Sequence, residues 1–127
     1  MDKITHASEW IKYAEADLDA ALLLTTHHPI HIEIICFHCQ QAGEKALKAI
    51  LAYHGEEISK THDLTVVLES CEKHYPGITN KLIEQGDNLT KYAVTLRYPT
   101  EIRITTEAMN QAISNAKQIL SHIKSLW

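Results

Sequence analysis

A chain of 127 residues is long enough for one domain with a buried core that needs no disulfide or metal to fold. Hydrophobic residues make up 45% of it and charged residues 22%, with only four Gly and three Pro, a balance that favours long regular elements over disorder. The net charge of −4 excludes a broad basic surface for duplex nucleic acid, although it allows a local basic pocket. We therefore expect a single domain over residues 1–127.

The chain shows neither a targeting signal nor a membrane segment. The longest apolar runs, such as residues 20–24, fall far short of the roughly 20 residues that a membrane-spanning helix requires. The odd number of cysteines (Cys36, Cys39 and Cys71) suits reduced thiols better than a disulfide framework. We expect a cytoplasmic protein with no membrane association.

Apolar residues at three- and four-residue spacing predict two long helices in the first half of the chain. The first helix is expected from about Thr5 to Thr26, before Pro29. Its predicted buried face consists of Trp10, Tyr13, Ala14, Leu18, Ala21 and Leu22. The second is expected from about Ile30 to Tyr53, and Gly55 then suits a left-handed cap.

The second helix carries apolar residues on both of its faces. Ile34, Phe37 and Leu51 project away from its main apolar stripe. Gln41, Glu44 and Lys48 lie among them and by themselves indicate an ordinary solvated face. Because a lone bundle would leave Ile34 or Phe37 exposed, we predict a homodimer.

The second half of the chain predicts three more helical segments. Thr61–Asp63 supplies capping side chains for a short helix, and a further helix is expected over about Ile78 to Thr95, with a break or kink near Gly86. Pro99 interrupts the pattern before a last helix that starts near Thr105 or Thr106. No segment alternates as a strand would, so the expected fold is all-α, an antiparallel up-and-down four-helix-type bundle with an additional short helix.

The only two arginines, Arg97 and Arg103, lie within one short segment. Arg97-Tyr98-Pro99 joins a guanidinium that can grip phosphate in a bidentate way to an aromatic ring that can stack. The alternative is a loop in which Tyr98 packs and Arg97 pairs with a carboxylate or with helix-end carbonyls. We take Arg97, Tyr98 and Arg103 as ligand-binding candidates.

Two further polar residues are placed where they could serve a site. Asp17 lies on the apolar stripe of the first helix, so its carboxylate needs a partner: either an internal one such as Lys45, Arg97 or a hydroxyl, or a ligand in a cleft. His62 precedes the capping Asp63 and could act as an acid or base near a cleft, although capping alone also explains the pair. Asp17 is therefore a ligand-binding candidate and His62 a catalytic candidate.

We expect neither a metal nor a cofactor. Cys36 and Cys39 spell CxxC, but they share a helical face with apolar neighbours and no second cysteine pair completes a zinc site. The histidines at residues 27, 28 and 31 fit an exposed turn between helices. Core cysteines and solvated histidines are the expected outcome.

Together, these segments resemble the HEPN family (higher eukaryotes and prokaryotes nucleotide-binding domain), in its minimal prokaryotic type. The matching pieces, which span nearly the whole chain, are Trp10, Ala14, Asp17-Leu18 and Ala21; Gln41-Ala42 and Glu44-Lys45-Ala46-Leu47-Lys48-Ala49; Thr61-His62-Asp63-Leu64; and Arg97-Tyr98-Pro99 with the alanine-rich last helix. The resemblance implies a helical bundle that forms homodimers. It also implies a neighbouring minimal nucleotidyltransferase in a toxin–antitoxin-like pair.

Many members of that family are metal-independent ribonucleases with an arginine followed, after four to six residues, by a histidine. This sequence departs from the motif. After Arg97 the corresponding positions hold Ile102, Arg103 and Ile104, and after Arg103 they hold Ala108, Met109 and Asn110. Only the arginine half of the motif therefore carries over to this chain.

Three functions follow from these observations, and the first is favoured. It is a homodimeric module that binds a nucleotide or RNA in a cleft lined by Arg97 and Tyr98, with a minimal nucleotidyltransferase as partner. The second is an endoribonuclease in which His62 replaces the missing histidine. The third is a purely structural helical dimer.

Overall fold

The computed structural model describes residues 2–95 and 103–127. Its helices are α1 (Lys3–Leu24), α2 (Ile32–Tyr53), α3 (Leu64–Glu72), α4 (Ile78–Thr90), α5 (Tyr92–Thr95) and α6 (Thr106–Ser125). No strand occurs within the described ranges. The predicted all-α class is confirmed, and α3 is the short helix expected after Thr61–Asp63, while the helix expected over about Ile78 to Thr95 is divided into α4 and α5.

Local sequence signals set most helix ends. Asp2, Asp63 and Thr105 cap α1, α3 and α6, because each side chain accepts a hydrogen bond from a free backbone N–H in the first turn. Gly55, which follows α2, has φ 69°, a left-handed conformation that glycine adopts without steric cost. The capping role predicted for Thr61–Asp63 thus belongs to Asp63.

The two longest helices run antiparallel and organise the core. Lys3 at the start of α1 lies beside Gly55 after the end of α2, and Asp17 near the middle of α1 reaches His38 and Lys45 of α2. α6 packs on another face of α2, while α3 and α4 pair with each other and close the remaining side. Fully buried side chains from α2, α3, α4 and α6 fill the interior: Ile35, Leu47, Ile50, Leu64, Leu68, Leu89, Ile119 and Ile123.

Two details differ from the sequence expectations. α4 runs without a break through Gly86 and ends near Lys91. The glycine lets α4 pack closely on α3, because a side chain there would crowd Leu68 and Leu64. On α1, the face turned to the core is formed by Ala7, Ala14 and Ala21, whereas Tyr13 is 56% exposed. Its position one-quarter turn from Ala14 explains why a purely periodic reading included it.

Within the described residues, none of the helices is both long and apolar enough to cross a bilayer. All three cysteines are free and buried, as expected. Burial raises the pKa of the Cys39 and Cys71 thiols to about 12, so they behave as core residues and not as thiolate nucleophiles.

Candidate functional site

A buried polar network surrounds Glu44 in the middle of α2. Glu44 Oε1 accepts a hydrogen bond from Gln40 Nε2 at 2.8 Å and lies 2.9 Å from His62 Nδ1, while Oε2 accepts one from Lys48 Nζ at 2.9 Å. The Glu44 and Lys48 side chains are only 6% and 5% exposed. The solvated face expected from these residues is therefore wrong, because the segment before α3 lies over it.

The environment of Glu44 keeps its carboxyl ionised. Burial raises the pKa of this group, but hydrogen bonds from Lys48, Gln40 and His62 outweigh burial and hold the pKa below its ordinary value. A buried carboxylate with three donors can stay charged at neutral pH. The network therefore places a fixed negative charge directly behind the His62 ring.

The loop that carries His62 is attached at several points. Gln40 Nε2 donates to the His62 carbonyl oxygen at 3.2 Å, and the Leu64 N–H donates to Thr90 Oγ1 at 3.0 Å. The Asp63 N–H donates to Thr61 Oγ1 at 3.1 Å. The His62 side chain itself is 48% exposed, so the ring faces solvent from a fixed backbone.

Asp17 forms a second network on the α1 side of α2. Its Oδ2 accepts a hydrogen bond from Lys45 Nζ at 2.6 Å, and its Oδ1 lies 2.9 Å from His38 Nδ1. The Asp17 side chain is 13% exposed. The structure thus supplies the internal partner Lys45 that the sequence suggested, while a ligand-binding role for Asp17 stays a prediction.

The two networks meet along one stretch of α2. Asp17 contacts this helix at His38 and Lys45, and His62 contacts it at Gln40 and Glu44, so both sit at the same level on adjoining faces. The exposed strip between them carries apolar side chains, including Ile34 at 46% exposed and the half-buried Phe37. The structure therefore brings two of the candidate residues to one surface.

Of the two arginine candidates, Arg103 alone belongs to the described part of the chain. Arg97 and Tyr98 lie outside the described residues. Arg103 is exposed and precedes the cap of α6, and among the described contacts no hydrogen bond or ion pair joins it to Asp17 or His62. α5 packs on α2, where its buried Tyr92 contacts Cys36, one helical turn from Gln40.

Sequence reasoning missed Gln40 and His38, and it misjudged Glu44 and Lys48. A signal was present, since Gln40, Glu44 and Lys48 follow one another at four-residue spacing and must share one helix face. For the metal question, residues 2–95 and 103–127 contain no group of three or more His, Cys, Asp or Glu side chains arranged to hold an ion. The polar clusters are hydrogen-bond networks in this structure.

This chain is similar in sequence and in fold to known proteins. A protein of Methanocaldococcus jannaschii named "Putative toxin MJ1304" is 30% identical over 138 aligned positions, which cover 95% of this chain and 88% of the relative. The crystal structure of ST0689, described as an archaeal HEPN homologue, superposes with a TM-score of 0.73 at 26% identity and covers 95% of this chain and 97% of its own.

The crystal structure of TT1696 from Thermus thermophilus superposes with a TM-score of 0.79 at 23% identity, over 94% of this chain and 97% of that one, and at this identity it shows the shared fold alone. The model of the HEPN domain matches residues 7–126, nearly the entire length of the sequence. The resemblance seen in the motifs is thereby confirmed, and the chain belongs to the HEPN family.

Proposed function

We propose that this chain is a homodimeric, toxin-like HEPN module that binds a nucleotide or RNA, and that a minimal nucleotidyltransferase is its partner. The observation that carries the proposal is the HEPN match over residues 7–126, together with the similarity to a relative named as a toxin. The fold by itself would not be sufficient, because one helical bundle can host many functions.

Phosphate recognition is assigned to Arg97 and Arg103, with Tyr98 as a stacking surface for a base. A guanidinium presents two parallel N–H donors to phosphate, and an aromatic ring stacks on any base with little regard to sequence. The concentration of both arginines within seven residues supports a local anion site in a chain whose net charge is negative. We expect weak binding with modest sequence preference.

The dimer is assigned to the exposed strip of α2 between the two polar networks. Ile34 is a large apolar side chain at 46% exposure, and Phe37 lies beside it along the same helix. The charges next to the strip are already paired, as Asp17 is with Lys45, so covering the strip would not strand an unpaired ion. This combination suits a second copy of the chain.

Binding to labelled single-stranded RNA and to nucleotides, at one fixed salt concentration, tests the proposal. Arg97→Ala should weaken binding by about 1.5–3 kcal/mol if the contact is a charge-assisted hydrogen bond, and Arg97→Lys should recover only part of that loss. Lys117→Ala, which removes one exposed positive charge from α6, is the matched control and should have little effect. Unchanged binding in Arg97→Ala would contradict the assignment of phosphate recognition to Arg97, and no binding by the wild type would favour the purely structural dimer.

The partner is tested separately by co-expression. A minimal nucleotidyltransferase encoded beside this chain should co-purify with it, and Ile34→Asp, which alters the dimer strip alone, provides a comparison for the surface involved. Failure of an adjacent nucleotidyltransferase to co-purify would remove the paired system from the account while leaving the ligand-binding proposal in place.

A further inference from the structure

A cavity of about 450 Å³ opens on the surface where α1 lies against α2. Its lining residues are His6, Glu9, Trp10, Tyr13 and Lys45. The residues from α1 recur at spacings of three and four positions and therefore share one face of that helix. The volume lies within the range of small-ligand sites, about 300–1,000 Å³. This space, called the α1 cavity below, borders the Asp17 network through Lys45.

Two aromatic side chains supply the apolar part of the α1 cavity. Tyr13 is 56% exposed and Trp10 is half-buried, so packing in the core does not cover either ring completely. The Trp10 Nε1–H donates to His6 Nε2 at 3.1 Å, which satisfies the one polar group of the indole. Both rings are therefore available to a ligand, and the face of a Trp or Tyr ring attracts cations.

The charges that line the α1 cavity leave one carboxylate without a counter-ion. Lys45 Nζ donates to Asp17 Oδ2 at 2.6 Å, so this ammonium is already balanced. His6 Nε2 accepts the bond from Trp10, so this nitrogen carries no proton and the imidazole is neutral. Among the described residues, Glu9 forms neither a hydrogen bond nor an ion pair through its side chain. The uncompensated charge in the lining is therefore negative.

We propose that the α1 cavity binds the guanidinium group of an arginine side chain that a partner protein presents. A guanidinium is a planar cation that stacks on aromatic faces and donates two parallel hydrogen bonds to a carboxylate. Trp10 and Tyr13 supply the faces, and Glu9 supplies the carboxylate. This interaction goes beyond the proposed function and does not depend on it, because the nucleotide or RNA is assigned to a different part of the chain.

The same charges disfavour a ligand that carries phosphate in the α1 cavity. A phosphate would meet the Glu9 carboxylate, while the Lys45 ammonium is already bonded to Asp17. A lysine side chain has the favourable sign of charge, but its ammonium is a strongly hydrated point charge without a planar fork. Arginine is therefore the side chain that uses both the aromatic faces and the carboxylate.

A partner protein is a better source of this group than a free small cation. The cavity lies on an exposed helix face, where one cation–π contact and one ion pair contribute little affinity by themselves. Trp, Tyr and Arg are enriched at protein interfaces, where each acts as an anchor within a larger area of contact. The α1 cavity accordingly suits an anchoring arginine in such an interface.

Two-dimensional NMR of the isotope-labelled full chain tests the proposal, because the two tryptophans of the sequence give two indole N–H signals. A blocked Gly-Arg-Gly peptide should shift the Trp10 signal in a saturable way, with a dissociation constant in the millimolar range. Trp127, which stacks on Tyr53 outside the cavity, should keep its signal and serves as the internal reference. The same peptide with citrulline, a neutral isostere of arginine, should bind at least about tenfold more weakly, and the lysine peptide about threefold more weakly.

Two substitutions test the roles of the lining residues. Glu9→Gln removes the charge with little change of shape and should weaken binding of the arginine peptide about fivefold. Tyr13→Ala removes a mostly exposed ring and should weaken it about two- to fivefold. Glu57→Gln and Leu23→Ala, exposed changes outside the cavity, should bind like the wild type. The comparison of arginine with citrulline on the wild type keeps the proposal falsifiable even if a variant fails to fold.

The proposal is overturned if the arginine peptide leaves the Trp10 signal unchanged, if the citrulline peptide binds as tightly, or if Glu9→Gln and Tyr13→Ala both bind like the wild type. Free methylguanidinium that binds as tightly as the peptide would assign the cavity to a small cation instead of a partner protein. Adenosine monophosphate that shifts the Trp10 signal at lower concentration than the arginine peptide would assign it to a nucleotide.

Discussion

Glu44 and Lys48 form an ion pair in which neither charge is hydrated. With side chains 6% and 5% exposed, each depends on the other and on the Gln40 and His62 contacts for its stability in the interior. Such a pair adds little compared with a well-packed apolar pair, but removing one member leaves an uncompensated buried charge. Replacing Glu44 or Lys48 alone should therefore lower the free energy of unfolding far more than replacing both with apolar residues.

Glu44→Ala should lower the free energy of unfolding by about 3–5 kcal/mol, because Lys48 is left buried without its counter-ion. Glu69→Ala, an exposed change on α3, should stay within about 0.5 kcal/mol of the wild type. The double variant Glu44→Leu with Lys48→Met should recover most of the loss. Urea unfolding at pH 7.5 measures all three, and a Glu44→Ala loss below about 1 kcal/mol would contradict the burial argument.

His54 and His74 form a stacked pair at the end of α2. Their ring centroids are 3.9 Å apart with planes 7° from parallel. The Nε2 atoms of both rings are buried without a hydrogen-bond partner, and Nε2 of His74 lies 3.2 Å from the Glu56 carboxylate. Burial lowers the pKa of His54 and His74 lowers it further, which together outweigh the opposing effect of Glu56. The folded state therefore favours the neutral form of His54.

Stability should consequently fall in mild acid. The unfolded chain binds a proton at His54 near its ordinary pKa of 6.5, and the folded chain binds one only at lower pH, so the contribution is complete above pH 6.5 and is lost as pH falls through the folded pKa. His54→Phe keeps the stack and should flatten the dependence of the urea midpoint between pH 5 and 8. His28→Gln, at an exposed position, should leave this pH dependence unchanged. The same dependence of the urea midpoint on pH in the wild type and both variants would refute the assignment to His54.

At the scale of elements, α2 shows what sequence patterns could and could not reveal. Periodicity predicted its existence, its end before Gly55 and its buried stripe, because these depend on residues near in sequence. It did not reveal that Glu44 and Lys48 are buried, because the loop that covers them is about 18 residues away along the chain. Gly86 likewise looked like a helix breaker until its packing against Leu68 was known.

For the candidate site as well, the sequence predicted some contacts and could not predict others. The partner of Asp17 was predictable in kind, since a carboxylate on an apolar stripe requires a cation or donor, and Lys45 was among those named. The bond from His62 to Glu44 was not, because it depends on how the loop before α3 folds onto α2. Long-range contacts between polar residues leave no periodic signature in a single sequence.

Gly43 of α2 packs closely against three core side chains. A Cβ atom at this position would lie 3.0 Å from Leu64 Cδ2, 3.1 Å from Leu89 Cδ1 and 3.3 Å from Ile119 Cδ1. Gly43→Ala gains up to about 1 kcal/mol of helix propensity, but overpacking against three core side chains costs about 1–3 kcal/mol. We expect a net loss of up to about 2 kcal/mol in urea unfolding, against almost none for Ser121→Ala on the exposed face of α6. A stabilised Gly43→Ala protein would contradict this packing.

At the scale of the whole molecule, we propose that this HEPN bundle associates both with a second copy of itself and with RNA. The association with a second copy is assigned to the strip of Ile34 and Phe37, which lies between the Asp17 and His62 networks. Two copies related by a twofold axis through such a strip would bring the Asp17 and His62 networks of both copies next to the shared interface. Dimerisation and ligand binding should therefore be linked.

Sedimentation velocity of the wild-type protein with a labelled single-stranded RNA, followed at the wavelengths of both components, tests this central claim most directly. We expect one species in which RNA sediments with two chains of 14.4 kDa each. Ile34→Asp, which places a charge in the strip, should both shift the protein to monomers and weaken RNA binding. A wild type that sediments as a monomer at micromolar concentration, or as a dimer that never carries RNA, would contradict it.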